Sequence, residues 1–353
     1  MINRRTFSKA VGLGTGAAAV ALSGLPTHAS AATGATGQPT GAPTGFGTLK
    51  QVKAGVLDVG YAEAGPAHGP VVILLHGWPY DIHSYVDVAP LLAERGYRVL
   101  VPYLRGHGGT RFLSLHTPRT AEQSAIALDV LAFMDALKVD KAVLAGFDWG
   151  SRTADIIAAL WPERVTALVS TGGYLITHRK AQLEPAAPGV EHNWWYQWYF
   201  ATDRGVKAME NVDERIALCR YTWTLVSPDW DFSDATFART AEAFTNPDYA
   251  AIVLYNYRWR ISLIEGDRRF DRYERQLAAQ PPIGVPTVTL DPALDPFTAP
   301  GDGASYRGHF TGPYLHRTIA DIGHNLPQEA PGAFAQAVVD AAHLASVDHA
   351  DRF

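Results

Sequence analysis

Residues 141–153, KAVLAGFDWGSRT, constrain this chain more than any other stretch. The apolar run 142–145 reads as a strand, Gly146-Phe147-Asp148-Trp149-Gly150 as a tight turn, and 151–160 as a helix. A strand, a glycine-flanked turn and a helix are the setting of a nucleophile elbow. Its central residue sits in a strained backbone conformation, and side chains in place of the glycines would block the close strand–helix approach. The common centre is serine; here it is Asp148. The simpler alternative is a glycine-rich turn whose Asp caps the following helix.

An aspartate changes the chemistry. With an ordinary pKa of about 3.9 it is ionised near neutral pH and needs no base before it attacks. A carboxylate can displace a leaving group from sp³ carbon, which leaves an alkyl ester of the enzyme. Water must then hydrolyse that ester, so a histidine is needed as general base in the second step. The expected substrates are epoxides or alkyl halides.

The 353 residues are 47% hydrophobic and 18% charged, which suits one large domain or a domain with an insertion. A net charge of −5 argues against nucleic acid or an anionic membrane as partner. Asn3-Arg4-Arg5-Thr6-Phe7 precedes a short apolar run and a small-x-small site near Ala31, so residues 1–31 are expected to be a twin-arginine export signal. The mature protein would be secreted or periplasmic. The lone Cys219 forms no internal disulfide and reads as a small buried hydrophobe. Residues 32–47, rich in Gly, Pro, Thr and Ala at their start, read as a linker.

The rest alternates. A hairpin is expected at 52–62 and buried strands at 70–75, 97–101, 142–145, 165–171, 285–290 and 315–320. Helical periodicity falls at 82–95, 121–137, 151–160 and 331–345. This predicts a mostly parallel, doubly wound α/β sheet in two parts, 48–173 and 283–353. Between them, 174–282 is rich in Trp, Tyr and Arg with helical patterning, and is expected to be an inserted helical cap over the strand C-termini.

Among 13 histidines, position selects His324, on a loop between the last strand and the last helix. Asp295, just beyond the strand at 285–290, is the favoured acid partner; Asp291 abuts the strand and reads as a turn cap. Backbone N–H groups of Trp149 and Trp78 are the expected oxyanion donors. The Trp78-Pro79 bond is open to either isomer. His76 and Arg105 read as loop structure rather than catalysts. No residues show metal-ligand spacing, and no cofactor is implied.

With these motifs in hand, the sequence resembles the epoxide hydrolases of the α/β-hydrolase fold, with haloalkane dehalogenases as close relatives. His76-Gly77-Trp78-Pro79 resembles the family's H-G-x-P, Gly146 to Gly150 its G-x-D-x-G, and Gly323-His324-Asn325 its base loop. Tyr103 departs from the pattern, since many relatives carry Asp before the R-G-x-G turn. Opening an oxirane leaves an alkoxide that needs a donor. The resemblance implies Tyr196, by its Tyr-Gln-x-Tyr-Phe setting, and Tyr257, within Asn256-Tyr257-Arg258. Trp194 and Trp195 are alternative donors through their indole N–H groups. These two, with His76 and Pro79, are expected around a small-molecule epoxide of apolar or aromatic character. The rival readings are a haloalkane or haloacid dehalogenase using the same nucleophile, and a non-catalytic binding protein. Monomer and homodimer both stay open.

Overall fold

The computed structural model describes residues 45–297 and 301–350. The expected export signal and residues 32–44 of the expected linker lie outside them. The hairpin is formed by β1 (Lys50–Ala54) and β2 (Leu57–Ala64), antiparallel about a turn in which Gly55 has φ 55°. Then follow β3 (Val71–Leu75), α1 (Val88–Ala93), β4 (Arg98–Pro102), the short β5 (Arg111–Phe112), α2 (Gln123–Ala136), β6 (Ala142–Gly146), α3 (Trp149–Leu160) and β7 (Val165–Thr171). The expected helix at 82–95 is instead a single turn at Ile82–Tyr85 and then α1. Pro90 is the reason. It lacks an N–H and its ring clashes with the carbonyl four residues back, so a helix cannot run through Val86.

Helices α4 (Pro188–Asn193), α5 (Trp195–Phe200), α6 (Asp203–Glu210), α7 (Val212–Val226), α8 (Asp234–Ala241), α9 (Tyr249–Arg260) and α10 (Asp271–Ala278) come next. The sheet resumes with β8 (Thr287–Pro292), α11 (Ala304–Arg307), β9 (Tyr314–Ile319), α12 (Leu326–Glu329) and α13 (Pro331–Ala350). Among the described residues the sheet order is β1-β2-β4-β3-β6-β7-β8-β9, with β5 on β2. All pairings from β4 to β9 are parallel; β2 runs antiparallel to its neighbours. Helices α2 and α3 pack together on the sheet, as do α1 and α13, giving two helical layers over one sheet. That is why β3 and β6 are apolar along nearly their whole length: a parallel strand is covered on both sides.

The helical stretch lies over the C-terminal ends of β3 and β6. Trp223 of α7 donates its indole N–H to the Pro79 carbonyl at 2.8 Å and stacks on Tyr80. On α9, Tyr249, Ile252, Val253, Asn256 and Tyr257 recur at helical spacing and are all buried. Asn256 donates to the Ala121 carbonyl at 2.7 Å, which locks α9 onto the segment before α2. Cys219 is buried as expected, its thiol pushed up to about 12 by burial.

At the elbow, α3 crosses the end of β3 so closely that a Cβ on Gly150 would collide with the Leu75 carbonyl. Because the obstacle is backbone, it cannot rotate away. Gly150→Ala is expected to lower stability at the top of the roughly 1–3 kcal/mol range for overpacking, read as a fall in the urea midpoint with unchanged slope.

Candidate active site

Asp148 sits between β6 and α3 with φ 51° and ψ −120°, a conformation L-residues rarely adopt. The turn thereby lifts its carboxylate off the strand end. The loop after β3 meets it: the Trp78 amide donates to Asp148 Oδ1 at 2.7 Å. Gly77 permits this approach, since a Cβ there would strike the Asp148 side chain. The Trp78–Pro79 peptide is cis. Trp149 begins α3, so its N–H is one of the donors at a helix start without an intrahelical acceptor.

His324 arrives from the loop between β9 and α12. Its Nδ1 bonds Asp295 Oδ2 at 2.8 Å, and its Nε2 lies 3.8 Å from Asp148 Oδ2. Since Nδ1 holds the proton toward Asp295, Nε2 is the end presented to Asp148. Asp295 has its other oxygen filled by the Phe297 N–H at 2.9 Å. Burial disfavours the charged imidazole, but the Asp295 charge and hydrogen bond, with Asp148 and Glu329 behind them, push His324 up to about 9. The base loop is clamped from outside: the His324 amide donates to Val226 O and Ser227 Oγ, both at 3.0 Å. Glu329 accepts from Ser227 Oγ, the Gly323 N–H and the Asn325 N–H at 2.6, 2.8 and 3.0 Å.

Asp291 takes no part. It lies within β8, one turn short of the loop, and accepts from Tyr306 Oη at 2.7 Å. Asp295 is thus the acid that the geometry brings to the histidine.

The expected cap tyrosines are adjacent, ring centroids 5.2 Å apart, and both pack on Trp78. Tyr196 lines the cavity beside Asp148; Tyr257 is not among the lining residues and is fully buried, its oxygen accepting the Trp149 indole N–H at 3.3 Å. Burial raises both phenols above their ordinary range, Asp148 adds to the rise, and both stay protonated at neutral pH.

Of the other expected neighbours, Trp194 lines the cavity, whereas Trp195, His76 and Pro79 are not among its lining residues. Trp195 packs on Tyr199 and Tyr221. Pro79 faces Trp223 through its carbonyl. His76 is consumed by the loops: Nδ1 meets Gly77 O at 3.0 Å, and Nε2 accepts the Leu104 N–H at 3.1 Å. Burial, then the His107 ring, hold it well below the usual histidine range, hence neutral. Arg105 is likewise structural, a fork onto Asp129 at 2.5 and 2.7 Å.

Two charged lining residues were not anticipated. Arg152 follows Asp148 by four positions on α3, and Arg260 follows Tyr257 by three on α9. Arg152 lies in the first turn of α3, next to the elbow, so its place was readable; Arg260 carried no such signal, because Tyr257 three positions before it does not line the cavity. The cavity, about 100 Å³, also takes in Phe147, Thr171, Leu175 and Phe297. Among the described residues, no cluster of His, Cys, Asp and Glu could hold a metal ion, and no helix is long and apolar enough to cross a membrane.

A strand-ending carboxylate, a histidine–aspartate pair from two later loops, and helices inserted between β7 and β8 together define a hydrolase built on a parallel α/β sheet. Residues 70–331 match the alpha/beta hydrolase fold family, and the chain belongs to that family. Within it, a crystal structure of a Klebsiella pneumoniae protein provisionally named an epoxide hydrolase is similar at 54% identity and TM-score 0.81, covering 84% of this chain and 97% of that one. Epoxide hydrolase B of Mycobacterium tuberculosis is 28% identical over 319 residues, 74% of this chain and 88% of its own. A haloalkane dehalogenase of Mycobacterium marinum matches only 35% of this chain, at 35% identity over 127 residues.

Proposed function

We propose that this hydrolase converts an epoxide to a vicinal diol through an alkyl ester on Asp148. The observation that carries the reading is the division of labour at the Asp148 carboxylate, with Oδ1 held by the Trp78 N–H and Oδ2 facing His324. Asp148 Oδ2 attacks an oxirane carbon; the carbon–oxygen bond opens, and the alkoxide takes a proton from Tyr196, supported by Tyr257. In the second step His324 Nε2 removes a proton from water, and the hydroxide adds to the Asp148 carboxyl carbon. The 3.8 Å between Nε2 and Oδ2 is too long for a direct hydrogen bond and suits a water acting between them. The charge that develops on Oδ1 falls on the Trp78 N–H, with the Trp149 N–H as second donor. Collapse breaks the carbonyl carbon–Oδ2 bond; the leaving diol oxygen takes the proton held on His324, the new carboxyl group returns its proton to Tyr196, and the Asp148 carboxylate is restored.

This reading is supported by the epoxide hydrolases among the similar proteins and by two protonated phenols next to the nucleophile. Halide release would leave those phenols without a role. The test is a single turnover in ¹⁸O water. One heavy oxygen is expected in the Asp148 carboxyl group and none in the first diol formed. Label appearing directly in the diol, with Asp148 unlabelled, would rule the ester out.

A further inference from the structure

The cavity contains more positive charge than the ester chemistry requires. Arg152 and Arg260 both line it, along with Asp148 and His324. Neither guanidinium has a carboxylate oxygen within ion-pair distance among the described residues. Arg152 is buried, and its one hydrogen bond, from Nε to the Leu175 carbonyl at 3.0 Å, is to a neutral acceptor. Arg260 has a buried Nε with no partner. Asp155, three positions past Arg152 on α3, accepts the Leu175 N–H on one oxygen at 2.8 Å, and burial pushes it up to about 7 in spite of hydrogen bonds and the Arg152 charge. Burial, then the nearby Arg260 charge, bring Arg152 down to about 10. Two like charges beside one small cavity favour an anion between them, and of the two carboxylates in the lining Asp295 is taken up by His324. Asp148 offsets part of this only while it is free, because alkylation neutralises it.

Size narrows the ligand. About 100 Å³ is far below the roughly 300–1,000 Å³ of pockets for drug-sized molecules. Of the two tryptophans expected around an apolar substrate, Trp195 packs on Tyr196 and Tyr199 instead of lining the cavity.

Resting on the epoxide hydrolase reading, we propose that the substrate is a short epoxy acid whose carboxylate is held by Arg152 and Arg260 while Asp148 attacks the oxirane. The planar fork of a guanidinium matches a carboxylate, and two of them offset the repulsion between substrate anion and nucleophile. The step balances as for any epoxide: the Asp148–carbon bond forms as the ring carbon–oxygen bond breaks, Tyr196 supplies the proton, and water then releases a dihydroxy acid.

The experiment compares oxirane-2-carboxylate with its neutral amide on the full chain, assaying diol. The wild type is expected to favour the acid in kcat/KM by about 10–100-fold, the worth of one or two charge-assisted hydrogen bonds. In Arg260→Gln that ratio is expected to fall toward one, and Arg260→Lys to restore part of it. Arg260 is the variant of choice because Arg152 also braces Leu175, and its loss could cost folding. Equal or better turnover of the amide by the wild type would overturn the anion site and leave the epoxide reading standing. No diol from either compound, with no ester on Asp148 in His324→Gln, would remove both.

Discussion

Asp148→Asn is expected to lower kcat by about 10⁴-fold or more while the protein stays folded, the scale seen when a covalent nucleophile is deleted. Asparagine tolerates φ 51° better than most residues, keeps the shape of the side chain and still accepts the Trp78 N–H, so lost activity would not reflect a lost turn. The control is Asp148→Ala. An amide facing His324 could be slowly hydrolysed back to carboxylate, and alanine has nothing to hydrolyse. Steady-state rates with circular dichroism on both variants check this. Residual activity in Asp148→Ala within tenfold of wild type would mean that another group attacks.

His324→Gln is expected to stall the second step, slowing turnover by about 10²–10⁴-fold and leaving one equivalent of ester on intact protein. Mass spectrometry would show the addition of one whole substrate. The same residue sets the pH dependence of ester breakdown in the wild type. The base must be neutral, and in the free enzyme His324 stands at about 9, so most of it is charged at pH 7. Esterification removes the Asp148 charge, one of the causes holding it up, so His324 in the intermediate titrates lower than in the free enzyme. Deacylation is therefore expected to speed up with rising pH and level off below about pH 9. Single-turnover decay of the ester between pH 6 and 9 checks the sign; a rate that falls across that window contradicts the base assignment.

Much of the sheet was legible because parallel strands announce themselves. VVILL and AVLAG are apolar along their length and end in glycine-containing turns. The elbow was legible because only glycine fits where backbone passes backbone. The helix expected at 82–95 failed at Pro90, a local steric fact outweighed in that reading by hydrophobic period. The short β5 was missed because two residues carry no periodicity. His76 was placed near the substrate by its neighbours in sequence, yet its ring is spent on the Gly77 carbonyl and the Leu104 amide.

Sequence alone singled out Asp148 and His324 as the candidate nucleophile and base and gave the order in which they occur, because each sits at a strand end that a strained turn or a short loop marks out. Tertiary structure decided between Asp295 and Asp291, gave Tyr196 and not Tyr257 a place in the cavity lining, and drew Arg152 and Arg260 to one cavity from helices over a hundred residues apart in the chain. The physical reason is range. Turns and burial patterns are written in a few adjacent residues, whereas the charge around a cavity is a sum over segments that meet only when the helices close over the sheet.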